Sequence, residues 1–513
     1  MTTLPSGLPV VVDRAIPTPL AVQISAQLEA AVTGGVLRAG DRLPSSRDLS
    51  ASLGVSRTVV TNAYARLFAE GWLEGRQGSG TYVAEVTAPP LEPLSKPSQT
   101  SHGRAGANGR GPVAADQPCD PERNRFSSHP HPLSRQSKAP AGLIELQPGI
   151  SWAEGIEPPM WRRAWRQAGA HLPSRWPDPH GLPELREEIA AYLRRSRGLA
   201  VTPANVLITQ GVSSGLALVA DALLAPGDKA GIEDPGYPTG REVLRRAGAR
   251  VVPCRVDAHG IVPEELPADL KLLYTTPAHQ YPLGGRLPVN RRQALVAWAR
   301  STGALVIEDD YDSEFRYDVG PLPALHSMDP DVIVYLGTAS KVLATAFGAG
   351  WLVAPPALVD RLAELRPRLG TRIPEAVQHA VLALLRSGDM ERHVRRMRLE
   401  YARRRAALVE GLQHGLLPGS QLGGGSAAGP FRLLGDTAGI HVVLELPAGY
   451  PVARLIEAAA ARGVAVYPLD RYFAGPMTMN GLILGYGTAT LPQVRRAAAQ
   501  LAELLSSRAD WDR

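Results

Sequence analysis

The sequence predicts an α/β chain: a small helix-turn-helix module with a β-hairpin wing, tied by a linker to a large α/β/α domain and then a smaller α+β domain. Three observations predict it. Near the N-terminus an apolar rhythm is broken at spacings that suit three short helices and a hairpin. A Pro-, Ser-, Gly- and Arg-rich stretch without apolar periodicity follows. From Gly142 onward, helical patterns alternate with short apolar runs, as in a mostly parallel sheet covered by helices. A length of 513 residues exceeds what one hydrophobic core usually organises, and the boundaries are expected at 15–84, 85–140, 141–389 and 390–510.

In the first module, Leu20, Ile24, Leu28 and Val32 recur every fourth residue, one face of a helix that Gly34 and Gly35 end. In LPSSRDLSASLGVSRTVVTNAYARLFAEG, Ser45 caps a short helix carrying Leu49 and Leu53 inward. Gly54 then permits a turn and Ser56 caps a second helix. WLEGRQGSGTYV reads as two strands around a Gly-rich turn at Gly78 to Gly80. A helix that enters a DNA groove needs short polar or cationic groups on its first turn. Ser56, Arg57, Thr58, Thr61 and Asn62 supply that face, while Val59, Val60 and Ala63 supply the packed one. Arg47 is placed to reach a phosphate, and Arg76, Gln77, Gly78, Ser79 and Thr81 to lay the wing in a minor groove. The plainer alternative is a small helical bundle with a solvated polar face.

The segment 85–140 reads as a flexible tether whose basic residues add non-specific phosphate contacts. Beyond it, NVLIT, LKLLYT, ALVIED and DVIVYLGT are the strand candidates and PELREEIAAYLRRSRG a helix. From about Met390 long amphipathic helices return, with IHVVLEL and LILGYG as late strands. In ERHVRRMRLEYARRRAALVEGL the spacing turns Val394, Met397, Tyr401 and Leu408 inward and leaves the arginines to solvent.

Composition excludes several classes. Apolar residues make up 44% of the chain, which suits packed globular domains. The net charge is +6, a weak guide to a nucleic-acid partner, and lysine occurs only at Lys96, Lys138, Lys229, Lys271 and Lys341. Cys119 and Cys254 are the only cysteines, so no disulfide framework or cysteine metal cluster is expected. The start MTTLPSGLPVVVDRAIPTPL lacks a basic, then apolar, leader pattern, and no run approaches the roughly 20 apolar residues that span a bilayer. A soluble, cytoplasmic chain without membrane partner or metal is the expectation.

The second group of candidates surrounds Lys341, which follows the apolar run DVIVYLGT. Asp309 ends the run ALVIE, with Asp310 as the alternative register, and Tyr311 follows in IEDDYD. Tyr237 lies in EDPGYPTG, and Thr338 closes the strand ahead of Lys341. In ITQGVSSG the amides of Gly211, Val212 and Ser213 open a helix after a strand and form an anion cup. An amine, a carboxylate for a pyridine nitrogen, a phenol, a stacking aromatic and a phosphate cup are what pyridoxal 5'-phosphate (PLP) requires.

LPSSR, LGVSR, AY, EG and GSGTYV together resemble the GntR-type winged helix. The Lys341 set resembles the fold-type-I aminotransferase domain, and the order of the two parts is similar to the MocR/GabR-type regulators. The likeness extends over GISWAEGIEPPMW, WPDPHGLPELREEIAAYL, PGDKAGIEDPGYP, TPAHQYPLG and IEDDYDSEFRYD. It implies a PLP Schiff base to Lys341, an operator of double-stranded DNA and a small-molecule effector, PLP itself among the candidates. It also implies a head-to-tail homodimer in which each DNA module rests on its partner's large domain. Two positions depart from the pattern. Gly348 in AFGAG stands where an arginine holds the cofactor phosphate, and Ile483 stands where an arginine holds a substrate carboxylate. His441, Arg471 and Tyr472 are open to serving a different effector or to ordinary packing. The expectation is therefore a transcriptional regulator of PLP synthesis with no catalytic residues assigned. The alternatives are a working aminotransferase with a DNA-binding appendage, and a scaffold that has lost the cofactor.

Overall fold

The computed structural model describes residues 10–14, 16, 18–33, 36–76, 80–84, 142–317, 323–416, 431–435 and 438–506. The tether at 85–140, and with it Gln77, Gly78 and Ser79 of the wing turn, lies outside the described residues. No helix among the described residues is long and apolar enough to cross a membrane.

The N-terminal module consists of α1 (Leu20–Thr33), α2 (Ser46–Leu53), α3 (Arg57–Glu70) and the antiparallel pair β1 (Leu73–Arg76) and β2 (Gly80–Val83). Ile24 and Leu28 of α1, Leu49 of α2, Val60, Ala63 and Leu67 of α3 and Trp72 form its core. The Ser45 side chain accepts from the Asp48 amide and caps α2, a contribution of about 1 kcal/mol. Gly54 makes the turn with φ 62°, a left-handed value glycine adopts without Cβ strain. Ser56 departs from expectation: it is the residue before α3, yet its hydroxyl makes no capping hydrogen bond and stays exposed on the helix's leading edge. The core also takes in Val289, so in the single chain the module is seated on the start of a large-domain helix.

The remainder begins with β3 (Ile144–Glu145), α4 (Pro158–Gly169) and α5 (Pro183–Arg197). There follow β4 (Val206–Thr209), α6 (Val212–Leu223), β5 (Lys229–Asp234), α7 (Pro238–Arg246), β6 (Arg250–Asp257), β7 (Gly260–Ile261), β8 (Leu272–Thr275) and α8 (Val289–Thr302). Next come β9 (Leu305–Asp310), β10 (Ile333–Thr338), β11 (Gly350–Val353), α9 (Pro356–Leu365) and α10 (Glu375–Arg386). Among the described residues eight strands form one sheet in the order β4-β11-β10-β9-β8-β5-β6-β7. Strands β10, β9, β8, β5 and β6 run parallel. Alternate residues feed opposite faces: Val206, Ile208, Tyr335 and Trp351 enter one core with α4, α5 and α10, while Leu207, Val334, Leu336 and Leu352 enter the other with α6 and α9. This is the α/β/α layering that the apolar runs predict. Strand β11 is antiparallel to both neighbours, because the connection from β10 is too short for a crossover helix.

The C-terminal part is built from α11 (Asp389–Leu416), β12 (Arg432–Leu434), β13 (His441–Leu446), α12 (Val452–Ala461), β14 (Val464–Ala465), β15 (Tyr467–Pro468), β16 (Asn480–Gly485) and α13 (Leu491–Ser506). Its sheet has the order β12-β13-β16-β15, and β14 pairs with β3. Val394, Met397, Tyr401 and Leu408 of α11 are buried as the spacing requires. The arginines are not all solvated, however. Arg404 shares the stripe of Met397, Tyr401 and Leu408 and is 0% exposed, its guanidinium 4.1 Å from the Trp152 ring centre and donating to Glu400 and the Gly487 carbonyl.

Candidate functional site

The parallel strands all deliver their C-terminal ends to one place, where open α/β sheets bind ligands. Strand β4 ends at Thr209 and leads into Gly211 at the start of α6; β9 ends in Asp309 and Asp310; β10 ends at Thr338, three residues before Lys341. Between them lies a cavity of about 210 Å³. Its lining includes Gly211, Val212, Ser213, Tyr237, Asp309, Tyr311, Thr338 and Lys341, so the whole Lys341 set of the sequence comes together. Gln210, Thr276, Tyr281, Ser340 and Thr345 line it as well.

Each group has a local reason for its position. Gly211 has φ 113° and opens α6 at the cavity wall, its own amide donating to Thr209 Oγ1 at 3.3 Å; a Cβ there meets Ser340 Oγ and Thr338 Oγ1 at 3.8 Å. The Thr338 hydroxyl accepts from the Ser340 amide and turns the chain toward Lys341. Lys341 Nζ donates to the Gly149 carbonyl, and a Cβ on Gly149 would stand 3.4 Å from that amine. Burial pulls the amine below its ordinary value against the opposing pull of Asp309 and Asp312, which favours the nucleophilic neutral form.

Asp309 and Asp310 point to opposite faces of β9, and packing alone decides between them. Asp310 accepts from Arg197 Nε at 2.5 Å and from Tyr335 at 2.7 Å, away from the cavity. Asp309 faces the cavity. Its Oδ2 accepts from the Tyr274 hydroxyl, and its Oδ1 is buried with no partner among the described residues. Burial raises its carboxyl to about 8, countered by Tyr274 and Lys341. A buried, half-satisfied carboxyl beside a lysine fits the nitrogen of a pyridine ring.

The sign of that shift makes a prediction. A carboxyl raised in the folded state stabilises fully below its ordinary value of 3.8, and that contribution is lost as the pH rises toward about 8. Thermal melts of the ligand-free protein are expected to fall between pH 5 and pH 8, and less steeply in Asp309→Asn. Glu308, raised to about 7 mainly by burial, keeps part of the slope in both. Equal slopes in the two proteins would exclude this account of Asp309.

The structure adds residues that sequence reasoning missed. His279 Nδ1 lies 2.9 Å from Asp312 Oδ2 and 2.9 Å from the Tyr311 hydroxyl. Both residues stand in quoted strings, TPAHQYPLG and IEDDYD, but only the fold brings a loop after β8 against the loop after β9. They orient the phenol that faces the cavity. Ser213 and Tyr237 hydroxyls lie 3.2 Å apart at the cup.

At the two departing positions, Gly348 has φ 58° and nothing within 4 Å of where a Cβ would stand. Ile483 is fully buried in an apolar cluster with Leu283, Val443, Leu469, Tyr472 and Phe473. His441 is buried, its Nε2 2.9 Å from the Pro282 carbonyl, and burial pushes it down to about 4.

On the N-terminal module, Arg47, Ser56, Arg57, Thr58, Thr61 and Asn62 are all exposed, and Thr81 is half-buried in β2. Arg57 Nε donates to Ser46 Oγ at 3.2 Å, which holds the guanidinium between α2 and α3. A cleft between α3 and the wing is lined by Ser45, Ser46, Thr61 and Thr81, and also by Arg42, which sequence reasoning did not single out. Arg42 forms a bridge with Tyr82 that anchors the loop to the wing.

Residues 20–83 match the family described as bacterial regulatory proteins, gntR family, and residues 152–443 match aminotransferase class I and II. The chain is 36% identical over 501 residues to the HTH-type pyridoxine biosynthesis transcriptional regulator PdxR of Corynebacterium glutamicum, covering 98% of this chain and 99% of that protein. It is 33% identical over 485 residues to the probable rhizopine catabolism regulatory protein MocR of Rhizobium meliloti, covering 93% and 92%. Among solved structures, an archaeal alanine:glyoxylate aminotransferase superposes with a TM-score of 0.64 at 27% identity, covering 71% of this chain and 90% of that one.

Proposed function

Because the chain belongs to the MocR-type HTH regulators, a gntR-family winged helix joined to an aminotransferase class I and II domain, we propose that it is a PLP-sensing transcriptional regulator. The observation that carries the proposal is the cavity at Lys341, which offers every ring-holding group while glycine and isoleucine stand at the two expected arginine positions. Lys341 would hold the cofactor covalently, Asp309 its ring nitrogen, Tyr311 its ring oxygen, Tyr237 its face, and the α6 amides with Ser213 and Thr338 its phosphate. When bound, the cofactor supplies an electron sink. Gly348 removes the bidentate cation from the phosphate side and Ile483 the one from the carboxylate side. The site is thus better suited to holding a ligand than to turning one over, and we assign no transaminase role.

PLP is itself the effector in this reading, and the genes controlled are those of vitamin B6 synthesis, in keeping with the name of the Corynebacterium relative. The chain acts as a homodimer, head to tail, so that ligand in the large domains biases the placement of two winged helices on DNA half-sites. Such coupling requires PLP to bind the two arrangements with different affinity. The test is titration of PLP against operator DNA selected from a random-sequence pool. A shift in DNA affinity is expected, and unchanged affinity at saturating PLP sinks the reading. Multiple turnovers with an amino donor and a keto acceptor would favour the aminotransferase alternative.

The DNA-contacting face rests on the exposed first turn of α3. Arg57→Ala is expected to weaken operator binding by about 1–3 kcal/mol without lowering thermal stability, since Arg57 is exposed. Wild-type affinity in that variant removes Arg57 from the interface.

A further inference from the structure

Three arginines of the N-terminal module are already engaged. Arg66 pairs with Glu70 at 2.8 Å, Arg14 donates to the Gly54 carbonyl at 2.8 Å, and Arg57 donates to Ser46 Oγ at 3.2 Å. Arg42 is different: it is exposed, and no acceptor among the described residues is paired with its guanidinium. The neighbouring Asp41 is taken up elsewhere, its Oδ2 accepting from the Arg38 amide at 2.7 Å.

The position of Arg42 is nonetheless fixed by the wing. Its backbone bridges Tyr82 of β2, and the next amide, that of Leu43, donates to the Thr81 carbonyl at 2.9 Å. The guanidinium lies against Gly80 at the start of β2, where a Cβ would stand 3.0 Å from Arg42 Nε and 3.4 Å from Nη2. Gly80 has φ 121°, so the glycine both turns the wing and leaves the bare backbone that the guanidinium covers.

Arg42 borders the cleft of about 400 Å³ between α3 and the wing. The same cleft presents the hydroxyls of Ser45, Ser46, Thr61 and Thr81 and the ring of Phe68, which is left 38% exposed. Among the described residues no carboxylate lines it. One cation, several hydroxyl donors and an apolar surface suit a sugar-phosphate chain: the phosphate oxygens accept from the donors while the deoxyribose rests on carbon.

The geometry of a duplex supplies the occupant. A major groove and the minor groove beside it are separated by one sugar-phosphate strand. With the first turn of α3 in the one and the wing in the other, that strand has to pass between α3 and the wing, where the cleft lies.

We propose that Arg42 grips a phosphate of the DNA strand that crosses this cleft, and so sets how far the wing enters the minor groove without reading any base. The inference rests on the placement of α3 and the wing in adjacent grooves and adds to it a positioning residue that α3 itself does not carry.

The test uses the full chain with two duplexes, the operator selected from a random-sequence pool and an unrelated sequence, over a series of salt concentrations. Arg42→Gln is expected to weaken binding to both by the same factor, roughly tenfold for each bound module, as loss of a charge-assisted hydrogen bond implies. The slope of log affinity against log salt should become shallower by about 0.9 for each bound module. Arg42→Lys should keep the slope and lose only part of the affinity, and Arg162→Gln, exposed on α4, should change neither. Arg57→Ala, by contrast, should narrow the gap between operator and unrelated duplex. Phosphate ethylation locates the contact: one position on the strand between the two grooves that blocks wild type should cease to matter for Arg42→Gln. Thermal melts should match wild type, since the wing pairing is made by backbone, and Arg42→Ala serves as the second neutral variant if Arg42→Gln melts lower. The proposal is overturned if Arg42→Gln keeps wild-type affinity and slope while Arg57→Ala loses affinity, or if the Arg42→Gln loss is confined to the operator. An ethylation contact outside that strand overturns it equally. Wild-type binding by both Arg42→Gln and Arg57→Ala would defeat the placement of α3 and the wing itself.

Discussion

Lys341→Ala is expected to abolish the visible absorbance that PLP acquires on covalent attachment and, with it, any effect of PLP on operator binding. Among the described residues Lys341 is the only lysine lining the cavity, its amine is buried beside Asp309, and burial favours the neutral form that attacks an aldehyde. Removing the amine leaves the cup at Gly211 and the Asp309 carboxyl in place, so residual PLP binding is non-covalent and weaker. DNA affinity in the absence of PLP should stay near wild type, because the exposed face of α3 is untouched. Absorbance titration and operator binding on the same preparations check both halves. Retained absorbance in Lys341→Ala would move the attachment point elsewhere. Lost absorbance with a retained PLP response would separate sensing from covalent attachment.

The largest loss of stability is expected at Arg197, far from any ligand contact. Its guanidinium is 2% exposed and pairs with Asp310 at 2.5 Å and Glu314 at 2.8 Å, themselves 3% and 6% exposed. Tyr335 donates to Asp310 at 2.7 Å and Tyr192 to Glu314 at 2.8 Å, so the two acids have no water to fall back on. Arg197→Ala leaves two like charges buried together without their cation. Breaking a buried pair in this way costs about 3–5 kcal/mol, whereas the intact pair contributes little beyond its own desolvation. Denaturant unfolding of the main transition measures the loss, and a change below about 1 kcal/mol would mean that water or another cation fills the space. Burial would push both acids upward once the arginine is gone, so the variant should recover stability as the pH falls. The same change should weaken PLP binding, because Asp310 shares β9 with Asp309 and anchors the end of that strand.

The two predictions differ in how much of their basis is visible in the chain itself. Lys341 stands out by its position after DVIVYLGT, and the cup by a glycine that opens a helix after a strand. Arg197 does not: it closes PELREEIAAYLRRSR among three other arginines, and only the pairing of α5 with the end of β9 selects it as the buried one. Arg404 teaches the same lesson on α11, where helical spacing places it on the apolar stripe although its charge argues for solvent. Ser56 shows the converse, a residue of the right type at a cap position whose hydroxyl stays free. His279 and Asp312 were present in recognised strings but had no role until the loops after β8 and β9 met.

What the sequence by itself determined is local and periodic: the helices and wing of the first module, the apolar runs that become parallel strands, and the arrival of Lys341, Asp309 and Gly211 at strand ends. Periodicity and turn chemistry act over a few residues, so they are legible in one dimension. The tertiary structure decided which of Asp309 and Asp310 faces the cavity and which arginines are buried. Those outcomes depend on desolvation and on partners tens or hundreds of residues away, and a charge buried beside a partner has the same letter in the sequence as one left in water.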